Sequence, residues 1–107
     1  MSKRVNWKAF KDRIPTRVQV GARRFFEIVW VESFSDPSIY GETRFSPDQI
    51  ALRAVDSEKE ICHTYYHELL HAFSDQYEVG LTEAQVMKME KALHYIVKDA
   101  NLLKEKL

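Results

Sequence analysis

The stretch that determines the fold is His67-Glu68-Leu69-Leu70-His71, which lies in a segment that should be helical and partly buried. Residues four apart stand one above the other on a helix, because a helix turns once every ~3.6 residues. His67 and His71 can therefore offer two imidazole nitrogens to one metal ion. Glu68 is placed to take a proton from a metal-bound water, not to bind the metal itself. The spacing predicts a metal site carried by one helix face.

The signals around this stretch set the ends of two helices. Asp56 or Ser57 is the expected N-cap of the first helix, which carries acidic residues in its first turn and runs to about Tyr77. Gly80 is a natural terminator. Thr82-Glu83-Ala84-Gln85 has the form of a capping box and opens a second helix that extends to about Leu103. The apolar stripe of this second helix comprises Val86, Met89, Leu93, Ile96 and Val97.

Strand patterns precede the helices. Alternation and aromatic or β-branched residues predict strands at 17–20 and 24–34, and a hairpin of 40–45 and 50–55 around a turn at 46–49. Phe26, Ile28 and Trp30 share one face of the second strand. Trp7, Phe10 and Ile14 recur at helical spacing and predict a short N-terminal helix that Pro15 ends. The predicted class is α+β: a small antiparallel sheet of three to four strands packed on the two helices.

Composition narrows the range of functions. The chain has 107 residues, which fits a single domain over 1–107, with 45% hydrophobic and 30% charged residues. Sixteen basic and sixteen acidic side chains cancel, which argues against nucleic acid or an anionic membrane as the main partner. Cys62 is the single cysteine, so an internal disulfide is excluded and a reducing compartment is favoured. With no signal-peptide pattern and no bilayer-length apolar run, we expect a cytoplasmic protein.

The spacing of the residues alone does not identify the third metal ligand. Asp75 lies one turn beyond His71, a spacing that usually makes it an outer partner that orients an imidazole. Glu83 and Glu90 lie two turns apart on one face of the last helix. If the first helix continues to Tyr77, Glu90 is favoured, because His71 and Glu90 then lie at nearly equal distances along the two helices from the turn at Gly80. If that helix ends soon after His71, Glu83 comes within reach.

A family resemblance bears on this choice. The run from about Gly41 to Asp99 resembles the small HExxH proteins of phages and prophages, distant relatives of the ImmA/IrrE and SprT-like metallopeptidases. The turn Gly80-Leu81-Thr82-Glu83-Ala84-Gln85-Val86 carries this resemblance together with the His67–His71 motif. The resemblance implies a gluzincin-like zincin site, with an acid near the start of the last helix as third ligand. Glu83 is then preferred, with Glu90 next.

Two functional hypotheses follow. The first is a zinc-dependent metallopeptidase, with Zn²⁺ held by His67, His71 and Glu83 and with Glu68 as general base. Its substrate would be a protein or peptide that pairs with a sheet edge, expected around Ile50–Ala54. The alternative is a zinc-binding, catalytically inactive phage protein that acts as a protein-interaction module. In either case a phage-encoded chain would work in the host cytoplasm.

Overall fold

The computed structural model describes residues 13–54 and 56–106, with side chains up to residue 97. Most of the predicted N-terminal helix therefore lies outside the described residues, although Ile14 packs against the core. The α+β class is confirmed: the described residues form a four-stranded sheet and two helices. The elements are β1 (Arg17–Gly21), β2 (Arg24–Val31), β3 (Gly41–Arg44), β4 (Gln49–Arg53), α1 (Glu58–Tyr77) and α2 (Glu83–Lys106).

The sheet is mixed, which corrects the prediction of a purely antiparallel sheet. Its strand order is β1-β2-β4-β3. The pairs β1–β2 and β3–β4 are antiparallel, as predicted for the hairpin, but β2 and β4 run parallel, with Ile28 opposite Ile50. The connection after β2 places β3 at the far edge, and β4 returns between them. Position in the sheet thus differs from order along the chain.

The apolar character of β4 explains why it takes the interior position. Ile50, Ala51 and Leu52 are each fully buried, and a continuous apolar run is typical of a strand covered on both faces. The Gly-Glu-Thr-Arg sequence of β3 is polar and tolerates an edge. The segment Ile50–Ala54 was expected to form the sheet edge beside the motif, and this expectation is wrong. The edge there is β3.

Helix α1 covers one face of the sheet. Its N-cap is Ser57, whose hydroxyl accepts a hydrogen bond from the Glu60 N–H at 3.2 Å, and it ends at Tyr77 as predicted. Cys62 on this helix is half-buried, and burial raises the pKa of its thiol. The buried cluster between helix and sheet comprises Phe26, Ile28, Ile50, Leu52, Ile61, Tyr65 and Ala72.

The predicted capping box of α2 is confirmed. The Thr82 N–H donates to the Gln85 side-chain oxygen at 2.8 Å, and the Gln85 N–H donates to the Thr82 hydroxyl at 3.2 Å. Glu78, in the left-handed conformation, caps α1, and Gly80 adopts a second left-handed conformation within the turn. Neither described helix combines the length and apolar character that crossing a bilayer requires.

Arg24 ties three elements together beside this core. Its guanidinium contacts both carboxylate oxygens of Asp48 at 2.9 and 3.0 Å, and it lies 2.8 Å from the Asp75 carboxylate at the end of α1. The guanidinium also stacks over the Phe26 ring, 4.9 Å from its centroid. The hydrogen bonds from Arg24 hold the pKa of Asp48 below its ordinary value. Strand β2, the β3–β4 turn and α1 are therefore linked through one side chain.

We expect Arg24→Met to lower the free energy of unfolding by about 2 kcal/mol at pH 7, the magnitude typical of hydrogen bonds to charged groups. The folded-state pKa of Asp48 is depressed, so its ion pair contributes fully above the unfolded-state pKa of about 3.9. That contribution is lost as the pH falls through the lower folded-state value. Urea denaturation of the parent and of Arg24→Met at pH 7 and pH 3 should therefore show a smaller difference in the free energy of unfolding at pH 3.

The neighbouring exposed residue provides a matched control, because Arg23→Met removes the same charge outside this network. We expect it to leave the stability unchanged. A deficit in Arg24→Met that is as large at pH 3 as at pH 7 would contradict an electrostatic role for Asp48.

Candidate metal site

Three side chains from the two helices converge beside the sheet. One donor atom each from His67, His71 and Glu83 lies within 4.8 Å of the other two. The Nε2 atoms of the two imidazoles are 3.3 Å apart. One Glu83 carboxylate oxygen lies 2.6 Å from Nε2 of His67, and the other lies 3.1 Å from Nε2 of His71. Both histidines therefore present the same ring nitrogen to one point.

The spacing of these atoms fits a small divalent cation. Two Zn–N bonds of ~2.0–2.1 Å at a tetrahedral angle separate the nitrogens by ~3.3 Å, which equals the 3.3 Å between the two Nε2 atoms. Two imidazoles and a carboxylate are a common catalytic zinc set, and other first-row divalent metals also accept these donors. The three residues can hold a metal ion, and their chemistry alone does not select zinc.

The turn between the helices brings Glu83 to the histidines. Helix α1 runs to Tyr77, the case in which Glu90 was expected to be the nearer acid. The chain then doubles back, because the Ser74 hydroxyl accepts a hydrogen bond from the Leu81 N–H at 2.9 Å. This contact lies three residues after His71 in α1 and two before Glu83. The first turn of α2 therefore starts level with His71.

The other two acids considered as ligands lie elsewhere. Glu90 reaches the opposite ring nitrogen of His67, with one oxygen 3.1 Å from Nδ1, and its second oxygen is 3.3 Å from Nδ1 of His63. Asp75, expected to orient an imidazole, instead pairs with Arg24 at 2.8 Å. Within the part of the chain that is described, Glu83 is the acid that meets both Nε2 atoms.

Glu68 is buried next to this group of donors. Glu68 is only 8% exposed. The Thr43 hydroxyl donates a hydrogen bond to its Oε1 at 2.8 Å. Burial raises the pKa of Glu68, and the Thr43 hydrogen bond and the two imidazoles oppose this rise without cancelling it. A carboxylate with a raised pKa is better matched to proton transfer near neutral pH.

The pKa of His67 reflects the carboxylates around it. Burial lowers this pKa, but the hydrogen bond with Glu90 and the charges of Glu68 and Glu83 outweigh burial, so the net shift is upward. In the metal-free protein these carboxylates therefore favour a positively charged ring. The same negative potential favours a divalent cation at this point.

The site opens onto a cleft along strand β3. One part, of 710 Å³, extends toward the end of α1 and is bordered by Phe45 and Glu78; the other, of 450 Å³, extends toward the start of α1 and is bordered by Tyr40 and Glu60. Both parts share four lining residues at the centre, which are Ile39, Gly41, Glu68 and His71. His71 and Glu68 thus lie where the two parts meet, and His67 and Glu83 line the second part.

Gly41 allows β3 to approach α1 closely. A Cβ atom at this position would overlap the Thr64 methyl group and lie 3.3 Å from Glu68 Cγ. Strand β3 could then not lie where Thr43 reaches Glu68. Thr43 is not predicted from the sequence, because a threonine in a short polar strand carries no signal of contact with a helix residue 25 positions away.

Comparisons with known proteins return no relative. No protein-family model matches the chain, and neither the curated proteins nor the solved structures include a significant match.

Proposed function

We propose that this protein is a zinc-dependent metallopeptidase in which His67, His71 and Glu83 hold the metal and Glu68 is the general base. The observation that carries the proposal is the convergence of two Nε2 atoms and the Glu83 carboxylate beside a buried, hydrogen-bonded Glu68. Kinship with the small HExxH metallopeptidases of phages belongs to the same proposal. It rests on the His67–His71 motif and on the turn into α2.

The chemical roles of the metal and of Glu68 follow from the positions of these groups. When bound, Zn²⁺ lowers the pKa of a water molecule toward ~7 and polarises a peptide carbonyl. Glu68 takes a proton from the attacking water while the water oxygen adds to the carbonyl carbon. Glu68 then gives this proton to the leaving amine as the C–N bond breaks. The hydroxyl of Thr43 keeps the Glu68 carboxylate in one orientation for both transfers.

The openness of the site favours catalysis over a purely structural role. A structural zinc site is normally closed by four protein ligands, whereas a catalytic site has three and an open position. Three residues, His67, His71 and Glu83, form this group in the described part of the chain. The Glu83 side chain is 63% exposed, and both parts of the cleft reach His71. These features argue against a purely structural zinc site.

Strand β3 provides a surface for an extended peptide. Among the described strands, it lies at the edge of the sheet and pairs with β4 alone, and it runs beside both parts of the cleft. An extended chain can add to a free strand edge through main-chain hydrogen bonds, which accept many side-chain sequences. A peptide bound in this way would cross the donors. The substrate is therefore a peptide or an unfolded protein segment.

The charges along the cleft favour a basic substrate. Among the described residues that line the two parts, none is a lysine or an arginine. Glu60 and Glu78 lie in opposite parts of the cleft, and neither pairs with a cation among the described side chains. Of the other lining carboxylates, Asp75 pairs with Arg24 and Glu42 pairs with Arg44. The remaining three are Glu68, Glu83 and Glu90. The negative charge of the lining carboxylates that have no arginine partner exceeds the positive charge of one divalent cation. Positively charged substrate side chains should therefore bind best.

The test is cleavage of a mixed peptide library by zinc-loaded protein, with the products read by mass spectrometry. We expect peptides with lysine or arginine on both sides of the cleaved bond to be enriched among the products. The preference should weaken in Glu60→Gln/Glu78→Gln and at high salt, because exposed charges are screened. Zinc bound with one equivalent but no cleavage of any peptide would contradict the peptidase. Cleavage without regard to charge would contradict only the substrate class.

A further inference from the structure

Glu90 connects two histidines of α1 through its two oxygens. One oxygen lies 3.1 Å from Nδ1 of His67 and the other lies 3.3 Å from Nδ1 of His63. The Glu90 side chain is only 15% exposed, and those of His67 and His63 are 19% and 29% exposed. A carboxylate shielded from water in this way has few other partners, so these two contacts define its position.

The two nitrogens of His67 are thereby assigned different tasks. Its Nε2 faces Glu83 and His71, and its Nδ1 faces Glu90. An ionised carboxylate has no proton to donate, so a hydrogen bond with Glu90 requires that Nδ1 carry the proton. The lone pair of Nε2 is then left for a metal. An outer carboxylate that fixes a ligand histidine in this way also makes it a stronger donor.

We propose that Glu90 is a positioning residue that holds His67 with Nδ1 protonated and Nε2 directed at the metal, and that His63 anchors Glu90. This inference rests on the proposed metal site. It assigns Glu90, the other candidate for third ligand, to the outer side of the histidine. It also gives His63 a role beyond that of a helix-surface residue.

The second helix holds His63 in place. The His63 ring stacks on His94 of α2, with centroids 4.9 Å apart and ring planes 17° from parallel. The Tyr66 ring meets the His94 ring edge-on, with the ring centroids 6.1 Å apart. Glu90 itself is one turn before His94 on α2. A series of side-chain contacts therefore runs from His94 through His63 and Glu90 to His67. Through these contacts, the packing of α2 against α1 affects the orientation of the proposed ligand His67.

The test is zinc affinity, measured by competition with a chromophoric chelator, across a short series of variants. We expect Glu90→Ala to weaken binding about 10–100-fold, the range typical of outer partners of metal ligands. Glu90→Gln should lose less, because its amide oxygen still accepts from Nδ1–H. His63→Ala should lose least, and its effect should shrink in the Glu90→Ala background because both act through one residue. Glu58→Gln, which contacts no histidine, should bind like the parent.

Nuclear magnetic resonance of the zinc-loaded protein supplies a second readout. The Nδ1–H of His67 should give a downfield signal that exchanges slowly with water in the parent. In Glu90→Ala this signal should be lost to exchange, whereas a general loss of packing would not single out one imidazole proton. The signal is assigned in a sample labelled with ¹⁵N at histidine.

The outcomes separate this inference from the peptidase proposal. Equal zinc affinity in the parent and Glu90→Ala would overturn the positioning role and leave the metal site intact. A loss in Glu90→Ala as large as in Glu83→Ala would also overturn it, since Glu90 would then be a ligand. A parent protein that binds no zinc would overturn both.

Discussion

Peptide hydrolysis should fall by about 10²–10⁴-fold in Glu68→Gln, the range typical of a lost general base, while one equivalent of zinc remains bound. Glutamine has nearly the shape of glutamate, and its amide oxygen can still accept the Thr43 hydrogen bond that is 2.8 Å long in the parent. It cannot take a proton from water. The comparison needs initial rates on a cleaved peptide from the library, with metal content measured on the same samples.

A matched control is available on the sheet. Glu27 is exposed on β2 between the buried Phe26 and Ile28, so its side chain points away from α1. Glu27→Gln removes the same charge and should hydrolyse peptides at the parent rate. If Glu68→Gln keeps a rate close to that of Glu27→Gln, Glu68 is not the base. Glu68→Gln that has also lost its zinc would show instead that Glu68 supports the metal site.

The second large effect concerns the metal itself. We expect Glu83→Ala to weaken zinc binding by more than about 100-fold, beyond the range of an outer partner. Glu83 is the residue that brings α2 to both Nε2 atoms, at 2.6 and 3.1 Å. Of the described donors, two imidazoles four residues apart would remain, and hydrolysis should be lost with the metal. Competition with a chelator measures the affinity directly.

Glu83 also stabilises the start of its helix, so its removal needs a control for that effect. Both Glu83 in α2 and Glu58 in α1 are acids of a first helical turn, where a negative charge contributes about 0.3–1 kcal/mol. Glu58→Ala should therefore lose similar stability and keep its zinc. Should Glu83→Ala bind zinc as tightly as Glu58→Ala, the third ligand is not Glu83.

The two experiments also separate the peptidase from the inactive interaction module. Loss of zinc in Glu83→Ala is expected for either protein. Loss of hydrolysis in Glu68→Gln with zinc retained is expected only for the peptidase. An inactive module would bind zinc through His67 and His71 and show no hydrolysis that Glu68 could affect.

The sequence by itself determined the local features of this protein. Ser57 and the Thr82–Gln85 capping box set where the helices begin, because caps satisfy backbone groups within a few residues. The four-residue spacing of His67 and His71 set both imidazoles on one helix face. The α+β class also follows from local periodicity, since alternation and helical spacing are both short-range patterns.

The tertiary structure alone decided which distant residues meet. Insertion of β4 between β2 and β3 moved the open edge to β3 and brought Thr43 to Glu68. The hydrogen bond from Leu81 to Ser74 set the level of α2, so that Glu83 lies on the metal side of His67 and Glu90 on the far side. Strand order and helix level depend on burial summed over the whole chain, which no local spacing records.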